Sequence, residues 1–282
     1  MKLKFKKVNC NICGSNKSEV IRESNCGNVS EKDIRNIFSY EELSIPKGKN
    51  FCSGIVKCRN CGLVYMNPQF SGVESLYMDS VDRFYMHTSP GRKSTFERDI
   101  RKINKLLPKK GKLLDIACAT GLLMEMAKKQ GWGAEGIELS NWAVNLARKK
   151  NLKVHDKKLE GIRFKNNSFD AITMFGIIEH VPDPSSFLKE VKRIVKKGGL
   201  VVITIPTGNF LLEKVLKRDY YTLQHLTYFT PETFNLLLKK EGFKIIKFNR
   251  YFRYMKLREV IRWSRKSKYY KLLKTAKSSS GL

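Results

Sequence analysis

Acidic residues are scarce in this chain: 26 Asp and Glu stand against 55 Lys and Arg, a formal net charge of +29 over 282 residues. So lopsided a balance favours anionic partners, whether phosphorylated small molecules, nucleic acid or an anionic lipid surface, although a lysine-rich proteome would give the same excess. Long apolar runs are missing as well. No stretch approaches the roughly 20 residues of a membrane span, and the opening MKLKFKKVNC is charged without an apolar h-region. Neither a spanning helix nor a signal peptide is indicated, and a cytoplasmic protein is expected. No G-x-x-x-x-G-K-[ST] occurs anywhere, which counts against a bound triphosphate. What is present, 41% hydrophobic residues in a chain longer than one average domain, suffices for one large domain and one small one.

The chain is organised around KLLDIACATG, residues 112–121. Leu113, Leu114 and Ile116 read as a strand buried on both faces, and the small residues Ala117, Ala119 and Gly121 turn it into a periodic helical segment at 122–130. A second strand at 133–139 ends in Glu138 and Leu139, so an acid reappears at a strand's carboxyl end about 20 residues on. Ligands of open α/β sheets sit outside those ends, and missing side chains in the turn let a ligand approach the backbone. The loop is not the G-x-G-x-x-G of dinucleotide sites, so a nucleoside without a pyrophosphate fits better, with Glu138 able to accept from both ribose hydroxyls. An ordinary buried strand and turn is the plain alternative.

Of seven cysteines, four form two knuckles, Cys10-x-x-Cys13-Gly14 and Cys58-x-x-Cys61-Gly62. Two such pairs let four thiolates converge on one zinc ion, each glycine freeing backbone N–H groups to turn toward sulfur. A zinc-ribbon domain over residues 1–70 is predicted, in which the metal supplies much of the folding energy that so short a segment cannot draw from a core. The missing secretion signal disfavours disulfides. Cys26, Cys52 and Cys118 receive no function, and the insert between the knuckles carries only a short helix at 30–40.

A short strand at 63–66 closes on Asn67-Pro68, and residues 71–110 form a connector whose leading helix, 91–107, repeats Phe96, Ile100, Ile103 and Leu107 at helical spacing. From residue 111 strands and helices alternate: helix 141–150, strand 152–155, strand 169–175, helix 184–196 and a fifth strand at 200–205 opened by Gly198-Gly199. A sixth strand is expected at 243–248, with no clear seventh. Together these give an α/β fold, a Rossmann-like doubly wound sheet over residues 111–249 with helices on both faces.

The pattern D-x-(small)-x-(small)-x-G from Asp115 to Gly121, with the later Glu138, resembles the S-adenosylmethionine (SAM) site of class I methyltransferases, which usually have glycine where this chain has Ala117 and Ala119. EHVPDP at 179–184 and VKKGG at 195–199 are similar to further blocks of the small-molecule enzymes in that family. HLTYFTP at 225–231, combined with the two knuckles, resembles zinc-ribbon methyltransferases of glycan and secondary-metabolite synthesis. The resemblance implies SAM as cofactor, held by Asp115, Ala117, Ala119, Gly121, Glu138 and Leu139. It puts Asp156 and Leu159 beside the adenine, and it makes Tyr85, and less so Tyr77, the aromatic residue closing over SAM. His225 would lie near the acceptor.

Methyl transfer to an alcohol benefits from a base that removes the hydroxyl proton as the new bond forms, which histidine does near neutral pH. His225 is the first candidate and His180, at the end of the fourth strand, the second; each reads equally well as a structural histidine. The predicted acceptor is a small anionic one, a hydroxyl of a nucleotide- or lipid-linked sugar whose diphosphate suits the basic surface. An RNA methyltransferase, without a recognised RNA module, and a non-catalytic SAM-fold binding module are the alternatives. Residues 250–282 set eleven Lys and Arg against the single Glu259 and include Tyr254 and Trp263. Such a basic amphipathic tail either lies on an anionic membrane surface or docks on its own domain.

Overall fold

The computed structural model describes residues 4–24, 53–82, 85–86, 89–206, 224–251 and 254. The helix at 30–40, Cys26, Cys52 and nearly all of the basic tail lie outside the described residues. In the amino-terminal part β1 (Lys4–Lys6), β2 (Ser18–Arg22), β3 (Ile55–Cys58), β4 (Val64–Met66) and β5 (Gln69–Ser71) lead into α1 (Val73–Met78) and α2 (Ser89–Leu106). The alternating part runs β6 (Lys112–Ile116), α3 (Leu122–Lys129), β7 (Gly133–Ile137), α4 (Asn141–Arg148), β8 (Lys153–His155), β9 (Phe169–Phe175), α5 (Pro184–Ile194) and β10 (Val195–Thr204), and β11 (Thr227–Tyr228) and α6 (Pro231–Lys240) follow. Short 3-10 turns occupy Leu159–Gly161 and Ile178–His180.

The central sheet is parallel, in the order β10-β9-β6-β7-β8. β6 and β9 are buried almost throughout, because helices cover both faces and a strand covered twice must be apolar along its whole length. One face carries Phe96, Ile100 and Ile103 of α2 with the buried residues of α3 and α4. The other carries Phe187, Leu188, Val191 and Ile194 of α5 and Phe234 and Leu237 of α6. Side-chain caps set several helix starts: Ser140 accepts from Ala143 N, Asp183 from Ser186 N, and Thr230 forms a capping box with Thr233, with Pro184 and Pro231 opening their helices.

Strand order reverses between β6 and β9, so the crevice that nucleotide-binding sheets use opens beyond the carboxyl ends of these two strands. A second, antiparallel sheet has the order β11-β4-β3-β2. It joins the strands that flank the knuckles to a strand that follows the central sheet in sequence, and both sheets contribute to one apolar core containing Ile12, Tyr65, Ile172, Ile178 and Phe229.

Two expectations are corrected. Residues 243–248 form no strand: Phe243 and Ile245 pack half-buried against the core while Ile246 and Phe248 face solvent, and among the described residues β10 pairs only with β9. The alternation is that of a strand, but no described strand offers it a ladder partner. The fifth strand starts at Val195 rather than at residue 200, since Val195 already pairs with Phe169 before a register shift that ends at Leu200. The helix before it accordingly stops at Ile194. Of the tail, Tyr251 donates to Asp99 Oδ2 at 3.0 Å, and Tyr254 N donates to Thr95 Oγ1 at 2.9 Å, so its beginning rests on α2. Among the described residues no helix is long and apolar enough to cross a membrane.

Candidate active site

The loop after β6 has left-handed backbone at alternate positions, Ala117 (φ 60°), Ala119 (φ 46°) and Gly121 (φ 77°). Glycine adopts this conformation freely, whereas each alanine there costs about 1 kcal/mol. At Gly121 the restriction is also steric, because an added Cβ would run into Leu152 Cδ1. The result is a loop that turns its backbone toward the crevice. Asp115, 4% exposed, is held by a 2.7 Å hydrogen bond from Thr173 Oγ1 on neighbouring β9. Burial and the nearby Glu138 charge lift its pKa to about 7 against that hydrogen bond.

Glu138 spans the mouth of the loop. Its Oε2 accepts from Ala119 N (2.9 Å), and its Oε1 accepts from Leu139 N and Ser140 N (2.8 Å each). A carboxylate offers about four lone-pair sites, so three backbone donors leave roughly one on Oε2 for an outside hydroxyl. Burial raises the Glu138 pKa against these amides. Ser140 Oγ donates to Ser80 O at 2.8 Å, which fixes the connector to the end of β7. On that connector Tyr85 lies under the Arg92 guanidinium, 4.3 Å from ring centroid to Cζ, and within electrostatic reach of Asp115, Cys118 and Glu138. Burial pushes its hydroxyl pKa up.

Leu159 is 2% exposed and packs into the core with Ile137. Asp156 faces solvent and pairs with Arg148 at 3.1 Å. Asp115, Ala117, Ala119, Gly121, Glu138, Leu139 and Tyr85 therefore share one locality, with Asp156 on the surface beyond it.

Beyond the end of β9, Glu179, His180 and His225 bring a carboxylate and ring nitrogens within 4.8 Å of one another. The two imidazoles meet edge to face, centroids 4.9 Å apart. His180 Nδ1 lies 2.8 Å from both Gln224 O and Tyr77 Oη. A carbonyl can only accept, so the proton is assigned to Nδ1, and Nε2 keeps its lone pair. That nitrogen is 3.8 Å from Glu179 Oε1.

Burial lowers the His180 pKa to about 4 and, together with His180, that of His225 to about 3; both rings are neutral near pH 7. Burial raises Glu179 to about 7. Glu179 Oε2 and His225 Nδ1 are buried without hydrogen-bond partners, and a buried polar atom left unpaired costs about 1–3 kcal/mol unless a ligand or water completes it. Sequence reasoning missed Glu179 and undervalued Tyr77. The signal for Glu179 was its place beside His180 at the carboxyl end of β9; nothing in the sequence points Tyr77 at a residue 103 positions away.

The four knuckle cysteines also converge. Cys10 and Cys61 Sγ are 3.3 Å apart and Cys13 and Cys58 Sγ 3.5 Å, all four within 4.8 Å. These separations are too long for disulfides and near the roughly 3.8 Å edge of a tetrahedron with Zn–S of about 2.3 Å. Both knuckles turn alike: Gly14 N donates to Cys10 O and Gly62 N to Cys58 O, at φ 74° and 76°. Burial pushes the Cys10 and Cys61 thiols up, Cys61 to about 11, so these two need a cation to ionise, whereas at Cys13 desolvation is outweighed by hydrogen bonds from Asn60, the Ser15 backbone and the neighbouring thiols, which bring it down to about 6. The donor set fits zinc.

A parallel sheet of this order, with a small-residue loop and an acid at the ends of adjacent strands, defines the Rossmann-like α/β fold of class I methyltransferases. A family model described as a methyltransferase domain matches residues 92–247, more than half of the chain, and the chain belongs to that family. A ubiquinone biosynthesis O-methyltransferase of Coxiella burnetii is 29% identical over 147 residues, covering 50% of this chain and 58% of that protein; the chain thus spans little more than half of that relative's length. An uncharacterized protein of Methanocaldococcus jannaschii is 27% identical over 157 residues, 54% of this chain and 73% of that one. Among solved structures, a Thermotoga maritima SAM-dependent methyltransferase described as a possible histamine N-methyltransferase is similar at TM-score 0.46 and 26% identity, covering 57% of this chain and 75% of that one. An Archaeoglobus fulgidus SAM-dependent methyltransferase gives 0.48 and 20%, with 59% and 76% covered.

Proposed function

We propose that the protein transfers a methyl group from SAM to a hydroxyl of a small, polar, anionic acceptor, a nucleotide- or lipid-linked sugar. The observation that carries this reading is the adjacency of two unlike sites. The left-handed loop follows β6 and the Glu179, His180 and His225 cluster follows β9, and these strands are neighbours in register, Ile116 beside Met174. Asp115, Ala117, Ala119 and Gly121 form the bed for the cofactor, Glu138 accepts from its ribose, Leu139 lies beside its adenine, and Tyr85 closes the near side, while the side chains of Asp156, on the surface, and Leu159, in the core, turn to other partners. When bound, SAM supplies an electrophilic methyl group on a sulfonium.

His225 is the base, with His180 as its partner. A neutral imidazole takes the acceptor's proton as the methyl group is transferred and passes it on to ionised Glu179, the group of the three with the highest proton affinity. A groove of about 2100 Å³ runs from Gly176, Glu179 and His225 past Lys197, Lys244 and Lys247. It is wider than the roughly 300–1,000 Å³ of a small-ligand pocket, and its lysines support an acceptor with a phosphate or diphosphate handle. At the other end of the chain, Cys10, Cys13, Cys58 and Cys61 hold a structural zinc ion.

The test is a labelled-methyl assay against nucleotide-sugar, glycolipid and total RNA pools. Label is expected in the sugar pools, and His225→Ala should lower its transfer by about 10²–10⁴-fold. Label in RNA would replace the sugar reading, and equal labelling by the variant would make His225 structural.

A further inference from the structure

Strand β4, which follows the second knuckle, ends on the acceptor cluster. Met66 N at the end of β4 donates to Leu226 O (3.0 Å), and Leu226 N donates to Glu179 O (2.8 Å). The residue beside His225 is thus stitched between β4 and the turn that carries His180, and the pairs Thr227 with Tyr65 and Tyr228 with Val64 extend the seam. Asn11, inside the first knuckle, donates from Nδ2 to Pro182 O at 3.0 Å, two residues past His180. Its neighbour Ile12 accepts at O from Lys240 Nζ at 2.5 Å, at the end of the helix that follows the His225 block. The SAM end is fixed by other ties, from Thr173 to Asp115, from Ala119 to Glu138 and from Ser140 to Ser80.

We propose that the four-cysteine unit is the positioning platform of the acceptor end: Asn11 and strand β4 set the placement of His180 against His225, while SAM affinity is set elsewhere. This rests on the reading of the two histidines as acceptor-side groups. The unit needs its metal to keep both knuckles folded, and the knuckles hold the histidines through backbone seams rather than by touching the substrate. A displacement of about 1 Å at reacting groups can cost on the order of 10²-fold in rate, so modest loosening suffices.

The experiment compares Cys13→Ser, at the exposed ligand position, with Asn11→Ala, which keeps all four sulfurs. Metal content, SAM affinity by calorimetry, labelled-methyl transfer to nucleotide sugars and the imidazole 15N resonances are measured on the full chain. With only four histidines in the sequence, their signals separate well. Cys13→Ser should lose zinc, shift two histidine signals and cut transfer about 10-fold, with SAM affinity held within about twofold. Asn11→Ala should keep zinc and move the same signals less. Unchanged histidine signals in both variants, or SAM affinity falling in step with transfer, would overturn the proposal. A wild-type protein that labels no sugar would defeat the acceptor reading alone, because the histidine signals still decide the positioning role.

Discussion

The two ends of the crevice are built in opposite ways. The proposed SAM end comes from one continuous strand-loop-helix-strand stretch: Asp115, the loop at 117–121 and Glu138 lie within 24 residues of one another, and their hydrogen bonds are mostly local backbone ones. The proposed acceptor end is assembled from Tyr77, residues 179–180 and residues 224–226, with β4 behind them. A locally built site keeps its geometry as long as its own strand and turn persist. One assembled from afar depends on every element that holds its parts together, here including a four-cysteine unit more than a hundred residues before the two histidines in sequence.

The largest effect should come from breaking the remote support. Cys58 is 1% exposed in the core, and Cys58→Ser should abolish zinc binding and cost about 4–5 kcal/mol of stability, a loss limited by the apolar core that the cysteine unit shares with the central sheet. Metal analysis together with a thermal melt checks this: no zinc in the wild type, or an unchanged melt in the variant, removes the metal from the scheme. Next comes pH. The Asp115 pKa rises from 3.8 to about 7 on folding, so its neutral form stabilises the ligand-free protein fully below about pH 4, and this contribution is lost as pH rises through 7. Asp115→Asn should therefore gain on the wild type with pH across that window, by about 1.4 kcal/mol per unit. Denaturant titrations at pH 5 and 8 measure the difference, and equal gaps at both would show that Asp115 is not buried.

Smaller again, Glu138→Ala should weaken SAM by about 2 kcal/mol or more, because it removes a charged acceptor and frees the Ala119 amide; unchanged affinity would place the ribose elsewhere. The smallest effect belongs to Ala119→Gly. Glycine relieves the left-handed alanine at φ 46° but adds freedom to the unfolded chain, so a net stabilisation of about 0.5–1 kcal/mol is expected. Destabilisation in a melt would mean that the alanine methyl packs usefully.

The same contrast governs what could be read from sequence. Strands β6 and β9 were legible because double burial writes a continuous apolar run. The loop's small residues and the four cysteines carried their chemistry in their spacing. Residues 243–248 misled because alternation records which side chains are covered and not whether a neighbouring strand offers hydrogen bonds. Tyr77 was undervalued because its partner is fixed by tertiary packing, and Glu179 was passed over because a carboxylate beside a lone histidine looks like surface until its burial is known.

The most direct measurement is calorimetric titration of the purified chain with SAM, since every role assigned here begins with a nucleoside at the loop after β6. One molecule bound per chain at submillimolar affinity is predicted, weakened strongly by Glu138→Ala. No binding by a protein whose fold and zinc content are intact would contradict it.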